Sequence, residues 1–240
     1  MKTIRLESVG STNAYARDLA GHGECGPLWV VAERQTAGRG RLERSWVSEP
    51  GNLYASALYP AMPARIAPSA LSFAAALAVA DTVAAFAGER EVQVKWPNDV
   101  LLGGRKVSGI LLENLGAATV CGIGINVAHS PDTDRWPATE IGGGIAVGIV
   151  LETLQAGFDY WRERLVRGGL EALRGPWVER AFGIGAEVVV ATGGRRLAGR
   201  FTGLGPNGEL MLGTRAGTLS VVAGDETYQG HAAHRGNGGH

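Results

Sequence analysis

The sequence predicts an α+β fold: a mixed β-sheet flanked by helices, followed by a small SH3-like β-barrel. Three observations carry this. Apolar strand-like runs alternate with helical segments through the first three quarters of the chain, as at Leu28 to Ala32 and the Ala-rich stretch 65–87. Gly103-Gly104 between two apolar runs marks a tight antiparallel hairpin. From Ala186 the pattern changes to short strands separated by turns. The expected organisation is therefore a ligand-binding domain over 1–183, a barrel over 184–229 and a disordered tail over 230–240.

Composition excludes several classes. At 240 residues the chain can bury a substantial core. Lys and Arg balance Asp and Glu, 23 against 23, so no global positive field draws it onto nucleic acid or an acidic membrane. Two cysteines, Cys25 and Cys121, are too few for a disulfide framework; Cys121 lies in an apolar run and reads as a buried, inert thiol. The N-terminus, Met-Lys-Thr-Ile-Arg-Leu-Glu, lacks a signal-peptide apolar region, and no unbroken apolar run reaches about 18 residues. A soluble protein of the reducing cytoplasm is expected.

Taken in order, residues 3–9 form a strand, and Ser11-Thr12-Asn13, all good N-cap types, open a helix through Ala20. Those three side chains either cap their own helix or hold a polar ligand group. A strand over Asn52 to Leu58 precedes the Ala-rich helix, whose start Pro68 limits. Lys95-Trp96-Pro97-Asn98-Asp99 is a turn between strands, and the strand returning from Gly103-Gly104 carries Lys106 among largely apolar residues. Ala118 to Val127 reads as a neighbouring strand. Its Gly122 and Gly124 empty one face, leaving room for a flat ligand or for close strand packing. Ile149, Val150, Leu154, Phe158, Trp161 and Leu165 recur at three-to-four spacing and form the core stripe of a helix, with a shorter helix around Leu170 to Arg180. His231, His234 and His240 fall in the tail and are not expected to form a metal site.

The most informative stretch is 33–46. Arg34, Arg39, Arg41 and Arg44 surround Gly38 and Gly40 directly after a strand. Guanidiniums this close repel unless anions lie between them, and their forks suit phosphate and carboxylate oxygens. The glycines let main-chain N–H groups approach such a ligand. A solvated basic loop is the alternative, and the pattern is neither the Rossmann nor the P-loop glycine motif.

Four motifs in register resemble the biotin protein ligases: Ser11-Thr12-Asn13, the arginine loop, Lys95-Trp96-Pro97-Asn98-Asp99 with Arg105-Lys106-Val107-Ser108-Gly109-Ile110-Leu111, and Gly122-Ile123-Gly124-Ile125-Asn126. The resemblance covers about residues 3–225. It implies the catalytic fold shared by class II aminoacyl-tRNA synthetases and biotin ligases, of the short type without a DNA-binding domain, and so no DNA partner. In one place the chain departs: the family usually reads Gly-Arg-Gly-Arg-x-Gly-Arg-x-Trp, and Glu43 takes the third glycine's position. A carboxylate there is expected to pair with Arg41 or Arg44.

The resemblance implies two reactions. Biotin and MgATP give biotinyl-5′-AMP and pyrophosphate; a lysine of a biotin carboxyl carrier domain, of acetyl-CoA carboxylase or a related carboxylase, then takes the biotinyl group. Carboxylate and α-phosphate repel by roughly 4 kcal/mol at about 4 Å and an effective dielectric of 20. Lys106 and Arg41 are the expected catalytic cations that offset this. Biotin falls to Ser11, Thr12, Asn13, Gln35, Gly38, Arg39, Gly40, Arg41, Lys106, Gly109, Gly122 and Gly124, and ATP to Arg41, Arg44, Trp46, Lys95, Asn98, Lys106 and Asn126. Asn98 and Asp99 are the expected Mg²⁺ ligands. Trp46 and Trp136 each qualify as an adenine cover. A lipoate ligase, a non-catalytic biotin sensor and a nucleic-acid-binding barrel are the alternatives; the intact arginine loop and Lys106 argue against the first two. Monomer and homodimer both remain open.

Overall fold

A computed structural model describes residues 1–132 and 136–228, with backbone only for 225–228. Strand β1 (Lys2–Val9) leads through Ser11 into α1 (Thr12–Gly21), and β2 (Leu28–Gln35) returns parallel to β1. Ser11 is the N-cap and accepts from the Ala14 N–H. After the arginine loop come β3 (Leu53–Pro60), α2 (Leu71–Ala84), β4 (Val92–Lys95), β5 (Asp99–Leu102), β6 (Arg105–Asn114) and β7 (Ala118–Ile125). The sheet order is β1-β2-β3-β7-β6-β5-β4, antiparallel except for the first pair, hence mixed as predicted. Gly103 and Gly104 have φ of 57° and 72°, the left-handed pair a two-residue hairpin needs. Pro68 begins a short 3-10 turn, and α2 starts only at Leu71.

The period of two sorts the sheet into faces. Trp29, Val31, Leu53, Ala55, Ala57, Cys121, Ile123 and Ile125 face α2 and the long helix α3 (Val147–Gly168) in the main core. Leu28, Val30, Leu58, Ala118 and Val120 face α1. The small side chains of α2 let it lie close to the sheet and to α3. Val150, Leu154, Phe158, Trp161 and Leu165 of α3 are buried as predicted, but Ile149 is 54% exposed and is not core. It stacks with Glu152 and Thr153, three and four positions on, and so lies off the buried row that starts at Val150.

Helix α4 (Glu171–Glu179) hands the chain to β8 (Glu187–Thr192), β9 (Arg195–Leu204), β10 (Leu210–Thr214), β11 (Gly217–Val221) and β12 (Asp225–Tyr228). These pair antiparallel in the order β11-β10-β9-β8-β12, the small β unit expected at this end. Its Val188, Val190, Phe201, Leu210 and Leu212 join the main core cluster. A buried hydrogen bond from Trp96 Nε1 to Gly208 O, 3.0 Å, ties the two sheets together. Gly208 has φ of 87°, and a Cβ there would meet Phe73 at 2.5 Å, so only glycine fits. The expected disordered tail and its histidines lie outside the described residues.

Candidate active site

The α1 face of the sheet is only partly covered. Where α1 begins, β3, β7 and β6 bring Tyr54, Gly124 and Gly109 into one cross-strand row and Ser56, Gly122 and Leu111 into the next. These rows floor a cleft of about 1010 Å³. Of the residues singled out from the sequence, Ser11, Thr12, Asn13, Gln35, Arg39, Gly40, Arg41, Arg44, Trp46, Lys95, Asn98, Asp99, Lys106, Gly109, Gly122, Gly124, Asn126 and Trp136 line it. Gly38 does not. It is buried behind the wall, where a Cβ would meet Trp46 O at 2.5 Å and Ser48 Oγ at 2.7 Å, so it lets the loop fold back on itself. Arg34 is exposed.

The closed end is a polar chain. Thr12 N–H donates to Gln35 Oε1 at 2.8 Å, with Thr12 Oγ1 3.1 Å from the same oxygen. Gln35 Nε2 donates to Ser48 Oγ, which donates to Trp46 O, each at 2.9 Å. Ser56 Oγ, wholly buried, stands 2.8 Å from Thr12 Oγ1 and 2.6 Å from Asn13 Oδ1. Asn13 Nδ2 donates to Glu113 Oε2 at 2.7 Å. Ser11, Thr12 and Asn13 thus cap and begin α1 and also present polar groups to the cleft, so the two readings of that motif coexist. Ser56, Tyr54 and Glu113 carried no sequence signal. Only strand register, which sets them beside Gly122, Gly124 and the end of the Leu111 row, brings them in. Burial pushes the Tyr54 phenol up to about 12, and it donates to Glu49 O at 2.7 Å, so it stays protonated at neutral pH.

The other end is cationic. Arg39, Arg41, Arg44, Lys95 and Lys106 line it against Asp99 and Asp132. Lys106 adjoins a β-bulge of its own strand, where Val107 is the extra residue between the Leu101–Lys106 and Val100–Ser108 pairs. Its backbone is clamped on the other side: its N–H donates to Pro137 O at 2.7 Å and its C=O accepts from Thr139 N–H at 2.9 Å. The ammonium ion-pairs with Asp99 at 2.6 Å and lies 5.5 Å from the Trp46 ring centroid. Arg41 donates to Asn98 Oδ1 at 3.1 Å, while Asn98 Nδ2 donates to Ile110 O at 2.7 Å. Asn126 is buried and donates to Thr139 O. Lys95, 7% exposed, lies 5.0 Å from the Trp136 ring centroid, and Trp136 packs edge-on against Phe182.

Two expectations are corrected. The face emptied by Gly122 and Gly124 is not bare: a Cβ on Gly122 would meet Asn13 Oδ1 at 2.1 Å, and one on Gly124 would meet the Trp46 ring at 2.6 Å. Close packing draws the nearest side chains into any strip without Cβ atoms. Trp46 accordingly lies against Gly109 and Gly124, with its Nε1–H unpartnered among the described residues. Secondly, the ion pair seen for Glu43 is with Arg39, at 3.8 Å, because Leu42 and Glu43 both take left-handed φ, 54° and 55°, and turn the carboxylate outward, 86% exposed.

Among the described residues no cluster of three or more His, Cys, Asp or Glu could hold a metal unaided. Asn98 and Asp99 offer two oxygens beside the cations, which fits only an ion held largely by water and ligand oxygens. Among the described residues no helix is long and apolar enough to cross a membrane, and both cysteines are free.

A sheet-floored cleft with a donor-and-acceptor pocket at one end and clustered cations at the other suits a polar-headed small molecule next to an anion. The chain belongs to the biotin/lipoate A/B protein ligase family, whose model matches residues 6–129. It is 36% identical over 240 residues to the biotin–[acetyl-CoA-carboxylase] ligase of Paracoccus denitrificans, covering 94% of this chain and 100% of that one. It is 34% identical to the ligase of the same name from Mycobacterium tuberculosis, with 93% and 87% covered. Among solved structures, the biotin protein ligase of Aquifex aeolicus in complex with biotin and ATP superposes with a TM-score of 0.82 at 27% identity, covering 95% of this chain and 98% of that one.

Proposed function

We propose that the chain is a biotin protein ligase, an ATP-dependent enzyme that forms biotinyl-5′-AMP and transfers biotin to a lysine of a biotin carboxyl carrier domain. The observation that carries this is the position of the Lys106 ammonium, in one cleft with both the polar closed end and the arginine loop. Biotin's ureido ring has a carbonyl acceptor and N–H donors. The Ser11, Thr12, Asn13 and Gln35 end offers both partner types, and the acid then points toward Lys106. Lys106 leaves Asp99 for the carboxylate and α-phosphate, stabilising charge on the non-bridging oxygens. Arg41, joined to Asn98, completes the cationic wall; Arg39, Gly38 and Gly40 let the loop fold over the acid chain, with Gly109, Gly122 and Gly124 beneath. Arg44, Lys95 and Asn126 serve ATP, and Trp46, where it shifts off Gly109 and Gly124, can lie against the adenine. Loop closure shields the mixed anhydride from water.

Asn98 and Asp99 would hold Mg²⁺, which would supply neutralisation of the phosphate charge. We assign 1–183 to catalysis and 184–229 to the barrel, and place the protein in the cytoplasm with a carboxylase carrier domain as partner. The test is transfer: incubated with ATP, biotin and a purified carrier domain, the chain should modify one carrier lysine, detected by mass spectrometry. Modification with lipoate and not biotin would move the protein to the lipoate branch of its family. No modification with either acid would overturn the ligase reading.

A further inference from the structure

We propose that Glu113, anchored by Arg17, is a positioning residue that fixes which way round the Asn13 amide stands, and through it the donor–acceptor polarity of the pocket's closed end. The proposal rests on the biotin reading above. Glu113 sits on β6 one step beyond Leu111, on the cleft side of the sheet, and does not itself line the cleft. Its Oε2 accepts from Asn13 Nδ2 at 2.7 Å and its Oε1 accepts from Arg17 at 3.2 Å.

An ionised carboxylate only accepts, and a guanidinium only donates. With Arg17 on one oxygen, the other takes the amide NH₂ of Asn13 and excludes its carbonyl. Leu111 O, 3.3 Å from the same Nδ2, agrees in sign. Asn13 Oδ1 must therefore face Ser56 Oγ, 2.6 Å away, and take that hydroxyl's single proton. With the Ser56 proton on Asn13, the Thr12 hydroxyl, 2.8 Å from Ser56 Oγ and 3.1 Å from Gln35 Oε1, has two acceptors beside it for its one proton, and Thr12, on the pocket wall, keeps lone pairs for a ligand N–H. Turning the Asn13 amide over would set its NH₂ against Ser56 Oγ, send the Ser56 proton to Thr12 Oγ1, and occupy a Thr12 lone pair that a ureido N–H could otherwise use. With Arg17 42% and Glu113 25% exposed, the ion pair by itself contributes little to stability. Its consequence lies in orientation.

The test is a cycle in the full chain. Glu113→Gln leaves one oxygen to serve two donors, and Arg17 cannot yield because it has no acceptor. The Kd for biotin, measured by calorimetry, should rise roughly tenfold or more, in keeping with loss of a charge-assisted hydrogen bond. KM for ATP should stay within about twofold, because the cationic end is untouched. Adding Arg17→Met removes the competing donor and frees the oxygen of the introduced amide for Asn13. The double variant should therefore bind biotin within about threefold of the native chain and more tightly than Glu113→Gln alone. A role confined to the ion pair predicts the reverse, with the double variant no better than the single one. That result, or native biotin affinity in Glu113→Gln, would overturn the proposal while leaving the ligase reading intact. A native chain that binds no biotin would overturn both.

Discussion

Gly122 shows how a single missing Cβ organises chemistry. The Asn13 amide occupies the space that any side chain at 122 would fill, 2.1 Å from an ideal Cβ. Gly122→Ala therefore displaces Asn13 from Ser56 and Glu113, and the expected outcome is a rise of at least tenfold in the KM for biotin with a fold that stays intact, measured by steady-state kinetics beside a circular dichroism melt. An unchanged KM would show that Asn13 has no part in binding. The sequence exposed Gly122 as a bare position and Asn13 as a polar helix start. It could not join them, because their contact spans β7 and α1 and depends on register. Ser56 and Glu113 were invisible for the same reason: a serine in an apolar strand and a glutamate near a strand end carry no local pattern.

The arginine loop was legible as an anion-binding element and illegible in its conformation. Its residues fall in the cleft because β2 ends at Gln35 and the chain turns back through Gly38 to pair Arg39 with Ser45. What no pattern predicted is the left-handed backbone at Leu42 and Glu43. Each costs about 1–2 kcal/mol relative to an ordinary helical residue. The exposed Arg39–Glu43 pair returns little of this. Glu43→Gly should favour the same loop arrangement, so the KM for biotin should fall, by up to about fivefold for about 1 kcal/mol. A KM that rises would mean that Glu43 contributes through its carboxylate. Trp46 teaches a related lesson. A loop residue, it packs on Gly109 and Gly124 of the sheet, a contact that no local pattern announces. Ile149 is exposed beside the fully buried Val150, so an apolar residue one position off the stripe is read into it by periodicity alone.

Across the molecule the class of fold was readable because each segment agreed with its neighbours: strand, capped helix, Ala-rich helix, hairpin and terminal β unit all appear in the predicted order. The coupling between the two sheets was not readable. Their cores are one cluster, and Trp96 reaches across to Gly208 O beside the Asn98 segment. A single unfolding transition is expected in urea, with tryptophan fluorescence and far-ultraviolet dichroism coinciding. Trp96→Phe leaves Gly208 O without its buried donor and should lower stability by about 1–3 kcal/mol without splitting that transition. Two separate transitions would show that the β unit folds on its own.

The central claim is that this cleft activates an acid with ATP and that Lys106 bears the developing charge. It is tested most directly by biotin-dependent exchange of labelled pyrophosphate into ATP, compared between the native chain and Lys106→Ala. The account predicts exchange with biotin and none with lipoate, falling by at least about a hundredfold in the variant, as for loss of a preorganised group that stabilises transition-state charge. Native exchange rates in Lys106→Ala, or no exchange in the native chain, would contradict it.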